Sequence, residues 1–318
     1  MAAVYKAFQP GVERYVALKI LPRHYASDPE FVGRFQQEAK ILAHLQHPHI
    51  LPVFDYGQAD GYTYIVMPFL QNGDLTDLLK GQPLTLPQVR RIITQIGDAL
   101  DYAHQQGLVH RDVKPNNVLL DDRGNCLLSD FGITKIVEGT AKFTVTGGII
   151  GTPDYMSPEQ GMGRKLDGRS DIYALGVMLF QMVTGRVPYK ADTPMAVLFK
   201  HVTDPLPLPR QLNPDIPEAV EQVILKALAK RPEDRFATAG AMVEALRGAI
   251  PETATQGTPV VDPGPTLKST PPPPDELTIA DLPATRPLAK SGLLWLLAGV
   301  VAVSVIGLVG VVAMFLLS

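Results

Sequence analysis

The sequence predicts an α+β chain in two lobes, a small β-rich lobe over residues 1–70 and a larger helical lobe over 71–250, followed by a tail that ends in a transmembrane helix. Three observations predict it. Period-two alternation with one amphipathic helix occupies residues 1–70, helical periods dominate 71–250, and residues 292–318 carry no charge. The formal net charge of −3 over 318 residues gives no concentrated basic surface, so nucleic acid is set aside as a partner. Cys126, the single cysteine, has no second thiol for a disulfide or a metal site. It reads as a small buried residue on a strand, in a domain that lies in a reducing compartment.

The elements follow in chain order. Across Arg14 to Ile20, Tyr15, Ala17 and Lys19 share one face of a strand and Val16, Leu18 and Ile20 the other. Asp28-Pro29 is a helix start, an N-cap followed by proline at the first position, and the helix runs to about Leu45. Its apolar face is Phe31, Phe35, Leu42 and Leu45, and helical spacing puts Glu38 in the middle of that face. A buried carboxylate needs a partner, and Lys19 is the natural one. Thr63 to Phe69 reads as a buried strand, and Leu86 to Gln105 as an amphipathic helix. Asp171 to Thr184 is apolar nearly all round yet too short to span a bilayer, which makes it the central buried helix of the second lobe. Helices over Glu218 to Lys230 and Thr238 to Arg247 complete the domain at residue 250, and there are no internal repeats.

The tail has two parts. Pro251 to Ser291 holds ten prolines and few large apolar residues, which predicts an extended disordered juxtamembrane linker. Gly292 to Ser318 then supplies about 25 apolar residues, roughly 37 Å of helix against a hydrocarbon core of about 30 Å. Arg286 and Lys290 precede this span and nothing charged follows, so the positive-inside tendency places the domain on the cytoplasmic side of the cell membrane, on a single pass. The N-terminus does not read as a signal peptide.

One short run carries the chemistry: His110-Arg111-Asp112-Val113-Lys114-Pro115-Asn116-Asn117, followed by Asp130-Phe131-Gly132. Six specified positions at roughly one in twenty each make a chance match improbable, on the order of 10⁻⁵. With these residues, positions 1–250 resemble the catalytic domain of Ser/Thr protein kinases, and among them most nearly the membrane-anchored eukaryotic-like (Hanks-type) kinases of bacteria. The resemblance implies the two-lobed protein-kinase fold, ATP and Mg²⁺ as cofactors, and transfer of a phosphoryl group to Ser or Thr of protein substrates in membrane-linked signalling.

Residue by residue, the resemblance implies that Asp112 is the base that orients the substrate hydroxyl, with Lys114 neutralising charge on the transferred group. Asn117 and Asp130 are hard oxygen ligands for Mg²⁺. Lys19 resembles the strand lysine that grips the phosphates, held by Glu38. Val4, Ala17 and Leu119 correspond to the residues that sandwich the adenine, and Met67 to the back of its pocket. Pro68, Phe69 and Leu70 correspond to the hinge, where Pro68 keeps the backbone carbonyl and Leu70 offers the N–H. Thr152 resembles the residue that bonds Asp112 and Lys114 under the substrate. Thr144 and Thr146 resemble an autophosphorylated pair, and phosphate there pairs with Arg111. Asp171 resembles an aspartate that braces the catalytic loop, and serving as a helix cap is the other reading of it. Glu159 and Arg235 resemble an ion pair of the helical lobe, while His110, Phe131 and Leu42 resemble an apolar column joining the lobes. His44, His47, His49, His104 and His201 lack metal-ligand spacing and read as ordinary loop or helix residues.

The resemblance also shows a departure. Val4-Tyr5-Lys6-Ala7 matches the residues after the family's glycine-rich loop, so the first strand and the loop glycines are expected to be missing from the β-rich lobe. Losing those backbone donors weakens nucleotide binding and costs about 10²-fold in rate. Two explanations stand: a recorded start internal to a longer reading frame, or a kinase-like membrane-tethered scaffold without catalysis. A small-molecule phosphotransferase shares the Asp base and metal ligands, but has no need of the Thr152 region. A homodimer is left open as a partner, with Gly299, Gly307 and Gly310 offering small surfaces for helix contact.

Overall fold

The computed structural model describes residues 3–21, 29–131 and 153–251, with the backbone alone at 29, 30 and 34. In the first lobe β1 (Ala3–Gln9), β2 (Arg14–Ile20), β3 (Asp55–Ala59) and β4 (Tyr62–Pro68) pair antiparallel in the order β1-β2-β4-β3, and α1 (Pro29–His44) connects β2 to β3. The register decides which side chains share a face. Lys19 stands opposite Val4 and Ile65, and Ala17 opposite Lys6 and Met67. Opposed residues and residues two apart lie on one side of a sheet, so Val4, Ala17, Lys19, Ile65 and Met67 do so here. β3, with the polar sequence Asp-Tyr-Gly-Gln-Ala, has no apolar alternation and was not expected from the sequence.

Phe31 and Phe35 of α1 are fully buried and stacked, with ring centroids 6.3 Å apart. Ala39, Leu42 and Leu45 continue the buried stripe. Glu38, expected on this face, lies at helical spacing between buried Leu45 and Phe31 and is half-buried.

The second lobe contains α2 (Leu86–Gln105), β5 (Val118–Leu120), β6 (Cys126–Leu128), α3 (Pro158–Gly161), α4 (Gly168–Thr184), α5 (Pro194–Thr203), α6 (Pro209–Leu212), α7 (Glu218–Ala227) and α8 (Ala239–Ala249). The start of α2 follows from its sequence, because the Gln88 side chain accepts from the Thr85 N–H at 3.0 Å and Pro87 needs no donor there. α4 is the centre, with Ile172, Leu175, Val177, Met178, Leu179 and Phe180 all fully buried. It begins one turn earlier than expected, since Asp167 caps it by accepting from the Arg169 N–H at 2.9 Å. Asp171 therefore lies inside the first turn and is not the cap. α7 likewise ends at Ala227 and not at Lys230, while Thr238 caps α8 through the Ala241 N–H at 3.1 Å.

Two glycines let these helices meet closely. A Cβ at Gly97 of α2 would come within 2.3 Å of Val243 on α8, and one at Gly176 of α4 within 2.8 Å of Ala227 on α7. The lobes join where Leu128 of β6 takes the Leu51 N–H on its carbonyl at 3.0 Å and donates its own N–H to His49 at 2.9 Å. Cys126 is buried on β6 as expected, and burial pushes its thiol up to about 11. The linker from 252 and the apolar stretch 292–318 lie outside the described residues. Among the described residues no helix is long and apolar enough to cross a membrane.

A buried ion pair ties α3 to the rest of this lobe. Arg235 binds Glu159 through both guanidinium nitrogens at 2.7 and 2.8 Å, and spends its remaining N–H groups on the carbonyls of Ala229, Arg169 and Lys230. Ser170 adds a hydroxyl to Glu159 at 2.7 Å. Burial alone raises the Glu159 carboxyl, but the bonds and charge of Arg235, with Ser170, outweigh it and hold it below the usual 4.5. The contribution of Glu159 is therefore present above pH 4.5 and lost as pH falls through its lower folded value. Replacing Arg235 by Met strands a buried carboxylate, and a urea titration at neutral pH should show a loss of about 3–5 kcal/mol. A loss below about 1 kcal/mol would show that the pair is dispensable.

Candidate active site

The motif residues lie at the junction of the lobes because the loop carrying them, after α2, is pinned at its backbone. Asp171, fully inside the core on α4, accepts the His110 N–H on Oδ2 and the Arg111 N–H on Oδ1, both at 2.8 Å. Its Oδ2 also meets His104 Nε2 at 2.8 Å. His104 is thus not an ordinary helix residue but part of the support of this loop. Arg111 takes φ +66° and Asp130 φ +57°, the left-handed region that non-glycine residues rarely enter. Nothing in the residue types announced either.

His110 is fully buried, with its ring 4.5 Å from that of Phe131 between centroids. Its Nδ1 accepts the Asp112 N–H at 3.2 Å and its Nε2 donates to the Ser129 carbonyl at 2.9 Å, so the ring is neutral with its proton on Nε2. Burial lowers its pKa below 6.5, more than the Asp171 charge restores. It is a packing and positioning group.

The Asp112 carboxylate lies 2.9 Å from Lys114 Nζ and accepts from Asn117 Nδ2 at 3.1 Å. The same Asn117 amide donates to the Asp112 carbonyl at 2.7 Å. Asn117 sits at the mouth of the β5–β6 hairpin, where Ser129 donates its N–H and its hydroxyl to the Asn117 carbonyl at 2.8 and 3.1 Å. Asp130, the next residue, therefore arrives beside Asn117. Ser129 was missed in the sequence because it acts through backbone groups of residues distant in the chain.

Lys19 makes its ion pair with Asp130, at 2.7 Å, in place of the pair expected with Glu38. One cavity is lined by Lys19, Met67, Asp112 and Asp130, with Ile65 and Phe131 among its apolar walls. Of the residues expected around the adenine, Ala17 is buried on the same sheet face as Lys19, and Val4 is 61% exposed at the sheet edge. Pro68, Leu70 and Leu119 are half-buried, and none of these five lines that cavity. Thr144, Thr146 and Thr152 lie outside the described residues.

The sequence matches the protein kinase domain family over residues 1–246. The serine/threonine-protein kinase PrkC of Bacillus subtilis (strain 168) is 39% identical over 251 residues, which cover 79% of this chain and 39% of that protein. Serine/threonine-protein kinase pkn3 of Myxococcus xanthus is 42% identical over 258 residues, covering 78% of this chain and 47% of that one. The crystal structure of the Mycobacterium tuberculosis PknI kinase domain superposes with a TM-score of 0.63 at 34% identity, covering 78% of this chain and 91% of that chain. The chain spans less than half the length of these two curated relatives.

The tautomer of His110 is directly measurable. Nitrogen-15 shifts of the ring should show the Nε2–H form at neutral pH and a titration midpoint below 6.5. A proton on Nδ1, or a midpoint at or above 6.5, would contradict the network described.

Proposed function

This chain belongs to the protein kinase family, and from that premise we propose that it transfers the terminal phosphoryl group of Mg-ATP to serine or threonine hydroxyls of protein acceptors. The observation that carries the reading is the set Asp112, Lys114 and Asn117, held together within 3.1 Å, of which Asp112 lines the same cavity as Lys19 and Asp130. The similarity to serine/threonine-protein kinases supports the acceptor class.

The donor set fits a divalent cation. Asn117 commits its Nδ2 to Asp112, which leaves its amide oxygen available, and Asp130 keeps one carboxylate oxygen beyond the one given to Lys19. These hard oxygens suit Mg²⁺, which takes few protein ligands and completes its shell with phosphate and water. Bound Mg²⁺ supplies neutralisation of the phosphate oxygens. Asp112 orients the acceptor hydroxyl and takes its proton, and the neighbouring Lys114 ammonium stabilises negative charge growing on the transferred group. Thr152 supports the acceptor from below, and Lys19 releases Asp130 to grip the phosphates and pair with Glu38, the arrangement a kinase needs for turnover. Val4, Ala17, Leu119, Met67, Pro68 and Leu70 receive the adenine.

Regulation follows from Arg111, whose Nε is buried with no acceptor among the described residues. Phosphate on Thr144 or Thr146 supplies that acceptor and links the modification to the residue beside Asp112. We read residues 292–318 as the membrane anchor, residues 251–291 as its linker, and 1–250 as the catalytic domain at the cytoplasmic face.

With radiolabelled ATP, Mg²⁺ and a generic acceptor protein, the chain should yield phosphoserine and phosphothreonine. Asp112→Asn should lower incorporation by about 10²-fold or more. The Thr144→Ala, Thr146→Ala double variant should be less active and lack label at those positions. Equal incorporation by the native and Asp112→Asn proteins would leave a membrane-tethered scaffold as the reading.

A further inference from the structure

We infer that Gln160 is a positioning residue for Asp112, tying α3 to the loop that carries the base; the inference rests on the kinase reading above. Gln160 stands at the third position of α3, where its Oε1 accepts from the Ser157 N–H at 3.0 Å and the Ser157 hydroxyl at 3.1 Å. Those two bonds are ordinary helix capping and need only the amide oxygen. The nitrogen does something capping does not require. Gln160 Nε2 donates to the carbonyl of Arg111 at 2.8 Å, 49 positions away in the chain. The orientation of the amide is unambiguous, because the Ser157 N–H can only donate and the Arg111 carbonyl can only accept.

The position of that carbonyl gives the bond its significance. Arg111 is the residue at φ +66°, immediately before the base. Its N–H is held by Asp171 at 2.8 Å, its carbonyl by Gln160, and the N–H of the same peptide unit by His110 Nδ1 at 3.2 Å. The peptide that delivers Asp112 is thus fixed at both its oxygen and its nitrogen. Removing the Gln160 donor leaves the carbonyl free to turn, and the Asp112 carboxylate moves with it. Because α3 also carries Glu159, anchored on Arg235, the clamp joins the loop of Asp112 to the buried ion pair of the helical lobe.

The test separates capping from positioning. Gln160→Glu retains the oxygen that caps α3 but sets a carboxylate against the Arg111 carbonyl. Its melting temperature and its KM for ATP should stay near native, while kcat falls by about 10- to 100-fold. The deficit should narrow as pH is lowered from about 8 to about 6, because a carboxyl facing a carbonyl oxygen protonates early and regains a donor. Gln160→Met, of similar size and with neither donor nor charge, should show the same drop in kcat without that pH dependence, and Ser157→Ala, which removes the capping hydroxyl but leaves the Gln160 nitrogen, should keep kcat within twofold of native and decides the matter if the Glu variant does not fold. Native activity with both folded variants within twofold of it in kcat would overturn the inference and leave the kinase reading intact. A native chain that transfers no phosphate would instead overturn that reading.

Discussion

The site depends on one buried carboxylate. Asp171 lies in a helix whose neighbours are Ile172, Tyr173 and Leu175, all without solvent exposure, and an unsatisfied charge there would be prohibitively expensive. It is satisfied by the His110 and Arg111 N–H groups and by the His104 ring. The same bonds hold Arg111 in a left-handed conformation that costs about 1–3 kcal/mol and persists only where the surroundings over-determine it. The need to satisfy a core charge and the need to place Asp112 are therefore met by one set of contacts. From Asp112 the order spreads through Asn117 and Ser129 to Asp130, and across the cleft to Lys19.

A second polar framework, Glu159 with Arg235, does different work. It is buried and fully bonded, with the guanidinium also set over the Tyr173 ring at 4.8 Å, and it anchors α3 to the lobe. Its contribution is to the lobe, while that of Asp171 is to the loop. The two meet at α3, whose Gln160 reaches from beside Glu159 to the Arg111 carbonyl.

Much of this was legible in the sequence where the signal is local. The bounds of α2 follow from a proline near the start and a regular apolar stripe, and β4 from its run of aromatic, β-branched and apolar residues. The motif from His110 to Asn117 marked the loop because its chemistry demands particular residue types at fixed spacing. Signals that depend on tertiary contact were not legible. The polar strand β3 exists because it pairs with β4, and Asp167 and not Asp171 caps α4 because the chain turns one residue before Gly168. His104 and Gln160 bind groups 67 and 49 positions away, and Lys19 finds Asp130 across 111, distances at which single-sequence periodicity says nothing. The glutamate partner expected for Lys19 came from helical spacing and the family resemblance, neither of which shows that Asp130 reaches Lys19 at 2.7 Å.

The central claim is that Asp171 acts on phosphoryl transfer by holding the backbone of the loop and not by touching nucleotide. Asp171→Asn keeps size but replaces one acceptor by an amide that opposes an N–H. Steady-state kinetics of this variant should show kcat reduced by about 10²-fold, with the dissociation constant for ATP within about threefold of native, a change of about 0.65 kcal/mol. Native kcat, or a defect confined to ATP affinity, would contradict the account.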